Sequence, residues 1–253
     1  MMNSQILELG GEKFEINEGE NFVAVDFSQA GSREINLRKG SSLKLLRFVN
    51  SGCGEDLKFS VAEGAKLDVY AFVFADIDGD FSIASKVLAE NAVSNLNLVY
   101  FPEERIKANF RVRNDFLEKN SSGFITVKGV VADGADVTVS GEIGINQKAG
   151  NTDSFLGQHA LISGKGSRVR QMPILEIDTN EVKAAHGATV AKIQDEDLFY
   201  FLARGIDRSD AVKLYVNAFF GDLISEVDGF EDFGQRVRFG LDARIFGLKF
   251  LAN

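Results

Sequence analysis

The sequence predicts an all-β body with a C-terminal helical appendage, on three observations. Apolar and polar residues alternate in short runs from the N-terminus to about residue 170, the period of half-buried strands. From Asp195 onward apolar residues recur every three or four positions, as on an amphipathic helix. Along the body a turn-and-strand pattern returns: a polar residue, then Gly or Asn, then Ala or Ser, then an alternating run.

Taken in order, Gln5 to Asn17 reads as a hairpin, with alternating residues on both sides of Gly10-Gly11. A second run covers Asn21 to Phe27. The recurring pattern then occupies Leu37 to Leu45, Val61 to Val69, Leu88 to Leu96 and Val131 to Val139, and Lys165 to Val169 echoes it. Its starts lie 24, 27 and 43 residues apart, and the widest gap has room for another copy. Gly or Asn suits a corner that needs positive φ, and Ala or Ser suits a turn that passes close to its neighbour. A period in the twenties is that of a solenoid such as a β-helix, while a β-sandwich with common turn chemistry remains the alternative. Further strands are expected at Leu67 to Phe74, Leu96 to Phe101, Ala108 to Val112, Phe124 to Val131 and Val137 to Ile143.

Met172 to Ile206 joins body to appendage, with Pro173 and Gly187 setting its backbone. Asp195-Glu196-Asp197 opens a helix with Asp195 as its cap, Leu198, Phe201 and Leu202 as its stripe and Gly205 as its end. A second helix starts near Asp207 or Ser209, with Ala211, Leu214, Tyr215, Ala218, Phe219 and Leu223 as its stripe. The tail from Asp228 fits either a strand or a helical stripe of Phe233, Val237, Leu241, Ile245 and Leu248. Gly234, Gly240 and Gly247 count against a long helix. The expected segments are therefore a body over 1–190, a helical subdomain over 191–227 and a tail over 228–253.

Composition excludes several classes. A net charge of −9 argues against a general nucleic-acid binder, because phosphate contacts need a basic face. No apolar run approaches a membrane span, and the N-terminus lacks the pattern of a secretory signal, so a cytoplasmic location is expected. The single cysteine, Cys53, allows no intrachain disulfide and no thiolate-only metal cage from one copy. Twenty-two Phe and no Trp predict a core of Phe and aliphatic side chains.

One stretch is specific. Ala160-Leu161-Ile162-Ser163-Gly164-Lys165-Gly166-Ser167-Arg168, Pro173, Leu175-Glu176-Ile177 and Asn180-Glu181-Val182-Lys183 lead to His186-Gly187-Ala188-Thr189, Leu198-Phe199-Tyr200 and Ala203-Arg204-Gly205-Ile206. In order and spacing this run resembles the SufB/SufD family, the scaffold proteins of iron–sulfur cluster assembly. The resemblance implies a right-handed parallel β-helix followed by two short helices, and a scaffold rather than an enzyme. It implies a homo- or hetero-dimer with a second β-helix scaffold, a sulfur donor, and an ABC-type ATPase docked on the C-terminal helices. It further implies a transient iron–sulfur cluster shared between subunits. Members usually carry an additional N-terminal helical region, whereas strand-like sequence here begins near residue 5. The B type of the family has a cysteine before the proline, where this chain has Gly164-Lys165-Gly166-Ser167-Arg168. The D type has a histidine at the position of His186, so the resemblance implies a D-like chain that looks like a minimal form.

His186 is the expected cluster or iron ligand, through a neutral imidazole nitrogen, against a structural role at the last strand. Leu198, Phe199, Phe201, Leu202, Arg204, Leu214, Tyr215 and Phe219 are the expected ATPase-facing residues. Arg204 is read as fixing the helix pair through carbonyls. Glu176, Asp178 and Glu181 are read as solvated charges or caps before ligands, Cys53 as a passive thiol and His159 as structural or exposed. An adaptor that binds the ATPase but no cluster competes with the scaffold reading. A β-helix carbohydrate-active enzyme is a weaker alternative, because the one dense acidic cluster opens a helix.

Overall fold

The computed structural model describes residues 5–7, 12–28, 31–52, 54–103 and 105–248. The chain winds between two parallel sheets. One sheet holds β1 (Gln5–Leu7), β3 (Asn21–Asp26), β5 (Ser42–Val49), β7 (Lys66–Val73), β9 (Val93–Tyr100), β11 (Ser122–Val131), β13 (Thr152–Ile162) and β15 (Val182–Lys192), in that order. The other holds β2 (Lys13–Ile16), β4 (Ser32–Leu37), β6 (Glu55–Val61), β8 (Gly79–Val87), β10 (Lys107–Phe116), β12 (Asp136–Ile145) and β14 (Arg168–Ile177). This is the parallel β-helix that the resemblance implied. The expected hairpin over Gln5 to Asn17 is not formed: β1 pairs in parallel with β3, and β2 with β4 in the opposite sheet. Alternation on both sides of a corner is the same whether the second strand pairs with the first or crosses to another sheet, so the local pattern did not decide it. Gly10 and Gly11 lie outside the described residues.

The corners explain the repeat. Gly19, Gly40, Gly64, Asn91, Asn120 and Asn151 all have positive φ. Each lies two residues before one of the aligned positions Asn21, Ser42, Lys66, Val93, Ser122 and Asp153. The residue between is Ser41, Ala65, Ala92, Ser121 or Thr152 in all but the first corner, and these five are buried. Small side chains fit there because the turns stack: Gly40 N–H donates to Glu63 O at 2.8 Å and Gly64 N–H to Glu90 O at 3.0 Å. The copy missing from the widest gap is thus Asn120-Ser121. The pattern at Val131 to Val139 belongs to the opposite edge, where Asp133 and Gly134 turn the chain from β11 to β12. One corner chemistry serves both edges, so spacing alone mixed them.

Inward-facing residues form the first core, including Phe59, Phe81, Phe110 and Phe116. Tyr100 stacks on Phe110 at 4.6 Å between centroids. Gly129 is its neighbour in β11, where a Cβ would lie 2.0 Å from the Tyr100 ring. Near the N-terminal end the core is ionic. Arg47 is fully buried and grips Glu55 through Nη2 at 2.6 Å and Nε at 2.9 Å. Arg33 lies 3.0 Å from Asp26, whose carboxylate is 3.6 Å from Arg47. Two cations and two anions therefore neutralise one another, and Arg47 also donates to the Ser28 carbonyl at 2.8 Å.

Three helices lie on the outer face of the first sheet: α1 (Asp195–Leu202), α2 (Arg208–Ser225) and α3 (Glu231–Gly247). The tail is therefore helical from Glu231 to Gly247. Its glycines are close-approach positions: a Cβ on Gly240 would come within 2.9 Å of Phe48 and 3.0 Å of Phe74. Phe233, Val237, Leu241, Ile245 and Leu248 join Leu46, Phe48, Phe72, Phe74, Val99 and Phe101 in a second core. α2 buries Val212, Val216, Phe220 and Ile224 alongside Ala211 and Leu223, so its packed stripe is rotated from the expected one, and Leu214 and Ala218 face solvent. α2 is apolar on more than one side, and periodicity alone did not choose the side. α1 starts after Gln194, whose N–H donates to Asp197 at 2.9 Å, and Asp195 is not the cap. No helix among the described residues is long and apolar enough to cross a membrane.

Candidate functional site

β14 and β15 end the two sheets, each paired on one edge only among the described residues. His186 is in register with Leu156, an inner-core residue, and so stands on the inner line of the last coil. It is exposed because no further coil covers it. The next residue, Gly187, aligns with Gly157, and a Cβ there would reach only Phe155, at 3.6 Å. Pro173 sits in β14, where an edge strand tolerates the missing N–H. Met172, Ile174, Ile177 and Val190 are exposed on the same two strands. The last coil therefore combines backbone edges unpaired among the described residues with exposed apolar side chains and an imidazole.

Sequence reasoning missed two groups just inside this mouth. Gln158 is fully buried with neither amide atom hydrogen-bonded, and the Gln171 carbonyl oxygen is likewise buried without a partner. The register aligns Gln158 with Ala188 and Gln171 with Val139, on the inner line. An interrupted apolar alternation was their only signal.

The acidic candidates do not converge on His186. Glu176 lies on the outer face and receives Arg113 at 2.9 Å, and the same guanidinium holds Glu142 at 2.6 Å and Asp115 at 2.8 Å. Asp178 is exposed at the following corner. Glu181 lies at that corner too, its carbonyl receiving Asn151 N–H. Among the described residues no three His, Cys, Asp or Glu side chains are grouped to hold a metal ion. His159 is on the opposite side of the sheet from His186, with Nδ1 2.8 Å from Thr189 Oγ1. Partial burial, then Lys128, hold its imidazole below the usual range. Cys53 lies outside the described residues.

Residues 13–219 match the family model described as the SufBD core domain of SUF system FeS cluster assembly. The chain belongs to the SufBD family. Among curated SufBD relatives, the iron–sulfur cluster assembly protein SufD of Escherichia coli is 30% identical over 167 residues, 64% of this chain and 38% of that protein. A SufBD family protein of Synechocystis is 25% identical over 56% of this chain and 29% of its own length. One of Mycobacterium leprae is 39% identical over 34% of this chain and 22% of its own. The chain thus spans about two fifths or less of these relatives. The SufBD core match runs through β15 and α1 and ends inside α2, so the last coil and its histidine lie within it.

The residues expected to face an ATPase separate into two sets. Leu198 is in the second core, and Phe201, Leu202, Tyr215 and Phe219 are half-buried against it. Burial, then the Asp197 carboxylate, push the Tyr215 phenol up, which puts Tyr215 beside the start of α1. Phe199 at 69% and Leu214 at 46% are exposed, as is Tyr200 at 61%. Arg204, just past the end of α1, lies over the Tyr200 ring at 3.6 Å and reaches the Tyr200 carbonyl at 3.4 Å. It does not tie α1 to α2; Arg208 and Asp195 do, at 2.5 Å. Phe239 and Phe246, both about four-fifths exposed on α3, were not singled out from sequence.

Proposed function

We propose that this chain is a cytoplasmic scaffold subunit of an iron–sulfur cluster assembly complex. It pairs with a second β-helix through the open end formed by β14 and β15, and presents α1 and α2 to an ABC-type ATPase. The observation that carries the reading is the last coil: two strand edges unpaired among the described residues, with His186 on the inner line of β15. Pairing two such ends satisfies the edges and encloses the imidazoles. A cluster in assembly is cargo at that junction, and among the described residues one chain offers it a single imidazole with no thiolate alongside. The other ligands and the sulfur come from a second scaffold and a donor, which makes a shared site the economical arrangement. Nucleotide-driven closure of the ATPase pulls on the helices, and their broad contact with the first sheet transmits the pull to the coils beneath.

The docking face is tested with Phe199→Glu combined with Leu214→Glu. Both side chains are exposed, so the melting temperature is expected to stay within a few degrees while co-purification of the ATPase is lost. Undiminished co-purification rejects α1 and α2 as the docking face. Deleting everything from residue 195 is a poor substitute, because it uncovers Leu46, Phe48, Phe72, Phe74 and Phe101.

A second reading is an adaptor that docks the ATPase and carries no cluster. It is favoured by the commitment of Glu176 to Arg113, which takes the nearby carboxylate out of any ligand set.

A further inference from the structure

The last turn of α3 is held to the β-helix by one arginine and two carboxylates. Arg244 Nη1 lies 2.9 Å from Asp76 Oδ2 and 3.3 Å from Glu103 Oε2. Its Nη2 and Nε donate to the Phe74 carbonyl at 2.6 and 3.1 Å. Asp76 also accepts the Glu103 backbone N–H at 2.8 Å, so the carboxylates are fixed beside each other. The other oxygen of Glu103, Oε1, is buried without a hydrogen-bond partner. It faces Gly247, where a Cβ would lie 2.8 Å from it, so the end of the helix closes directly over this oxygen.

We propose that Glu103 is a proton-dependent latch that keeps the end of α3 closed on the β-helix when protonated and loosens it when ionised. The charges facing it come from three elements. Arg244 on α3 is the cation; Asp76 before β8 and Asp133 at the β11–β12 corner are anions. Arg105, on the same connection as Glu103, lies against Gly134. The C-terminal carbonyls of α3 add the negative end of a helix dipole. An ionised Glu103 is therefore a surplus anion beneath a helix end, with one oxygen short of a donor. A proton on that oxygen removes the surplus. Burial, opposed by Arg244 and reinforced by Asp76 and Asp133, raises the Glu103 carboxyl from 4.5 to about 7.

The sign follows from linkage. The closed latch binds the proton more tightly than the open one, so closure is strongest at low pH. It weakens as pH rises above the ordinary carboxyl range and reaches its floor once pH passes the closed-state value near neutrality. The consequence would be a helical layer whose grip on the scaffold responds to pH in the physiological range.

Hydrogen exchange of the amides from 241 to 247, corrected for intrinsic rates, reads the latch in the full chain. Protection is expected to fall by about tenfold between about pH 5.5 and about pH 7.5. Glu103→Gln, which cannot ionise, is expected to hold high protection at both values. A flat wild-type profile, or the same fall in Glu103→Gln, overturns the proposal. Should the variant not fold, the carboxyl ¹³C resonance of Glu103 in the wild-type chain decides. A midpoint near 7 supports the latch and a midpoint near 4.5 rejects it.

Discussion

Arg47→Met is expected to destabilise the chain by about 3–5 kcal/mol in urea unfolding, with no change in the open end of the solenoid. Arg47 has no exposed surface, and it is the guanidinium that reaches Glu55 with two nitrogens. Methionine fills much of the same volume, so packing loss is small and the effect reports the charge. Without Arg47, buried Glu55 and Asp26 are left to Arg33, which is 3.6 Å from the first and 3.0 Å from the second. A buried carboxylate that loses its partner suffers most of its desolvation penalty, which is why breaking one half of such a cluster costs more than replacing all of it. A loss below about 1 kcal/mol would mean that Arg33 and the surrounding carbonyls suffice, and that Arg47 is not the keystone of the N-terminal coils.

Phe233→Ala is the second large effect, at about 3–5 kcal/mol. Phe233 is where α3 meets the aromatic face of the first sheet, with ring centroids 5.6 Å from Phe27, 6.0 Å from Phe72 and 6.5 Å from Phe48. Truncation leaves a cavity between a helix and a sheet, which cannot both relax into it. The control is Phe239→Ala on the same helix. Phe239 is 78% exposed, and its loss is expected to change stability by about 0.5 kcal/mol or less. Equal effects at the two positions would show that α3 is not seated as described.

These two positions also mark what was legible in the sequence. The corners were, because positive φ and a small buried residue are needed at adjacent positions and leave a local signature in Gly40-Ser41, Gly64-Ala65 and Asn91-Ala92. Which strand lies beside which was not, as the lost hairpin at β1 and β2 shows. α3 was obscured because Gly240 reads as a helix breaker, whereas here it lets the helix approach Phe48 and Phe74. Leu198 and Leu214 carry the same side chain, yet one is in the core and the other in solvent, a difference set by where α1 and α2 rest. Arg47 was invisible as a structural residue, because a charge in an alternating run is read as solvent-facing until its partners Asp26 and Glu55 on two other strands are known. His186 could be singled out only through the family run; its inner position on the final coil comes from the structure.

The central claim is that this open end handles cluster cargo, and His186→Ala tests it most directly in a paired measurement. Iron and sulfide content is measured on the complex reconstituted with a second scaffold and the ATPase, and melting temperature on the isolated chain. His186 is exposed in the isolated chain, so its removal is expected to move the melting temperature by no more than a few degrees while cluster content of the complex falls severalfold. Unchanged iron and sulfide together with a lowered melting temperature would contradict the account: the histidine would then be a structural member of the last coil, and the chain an adaptor.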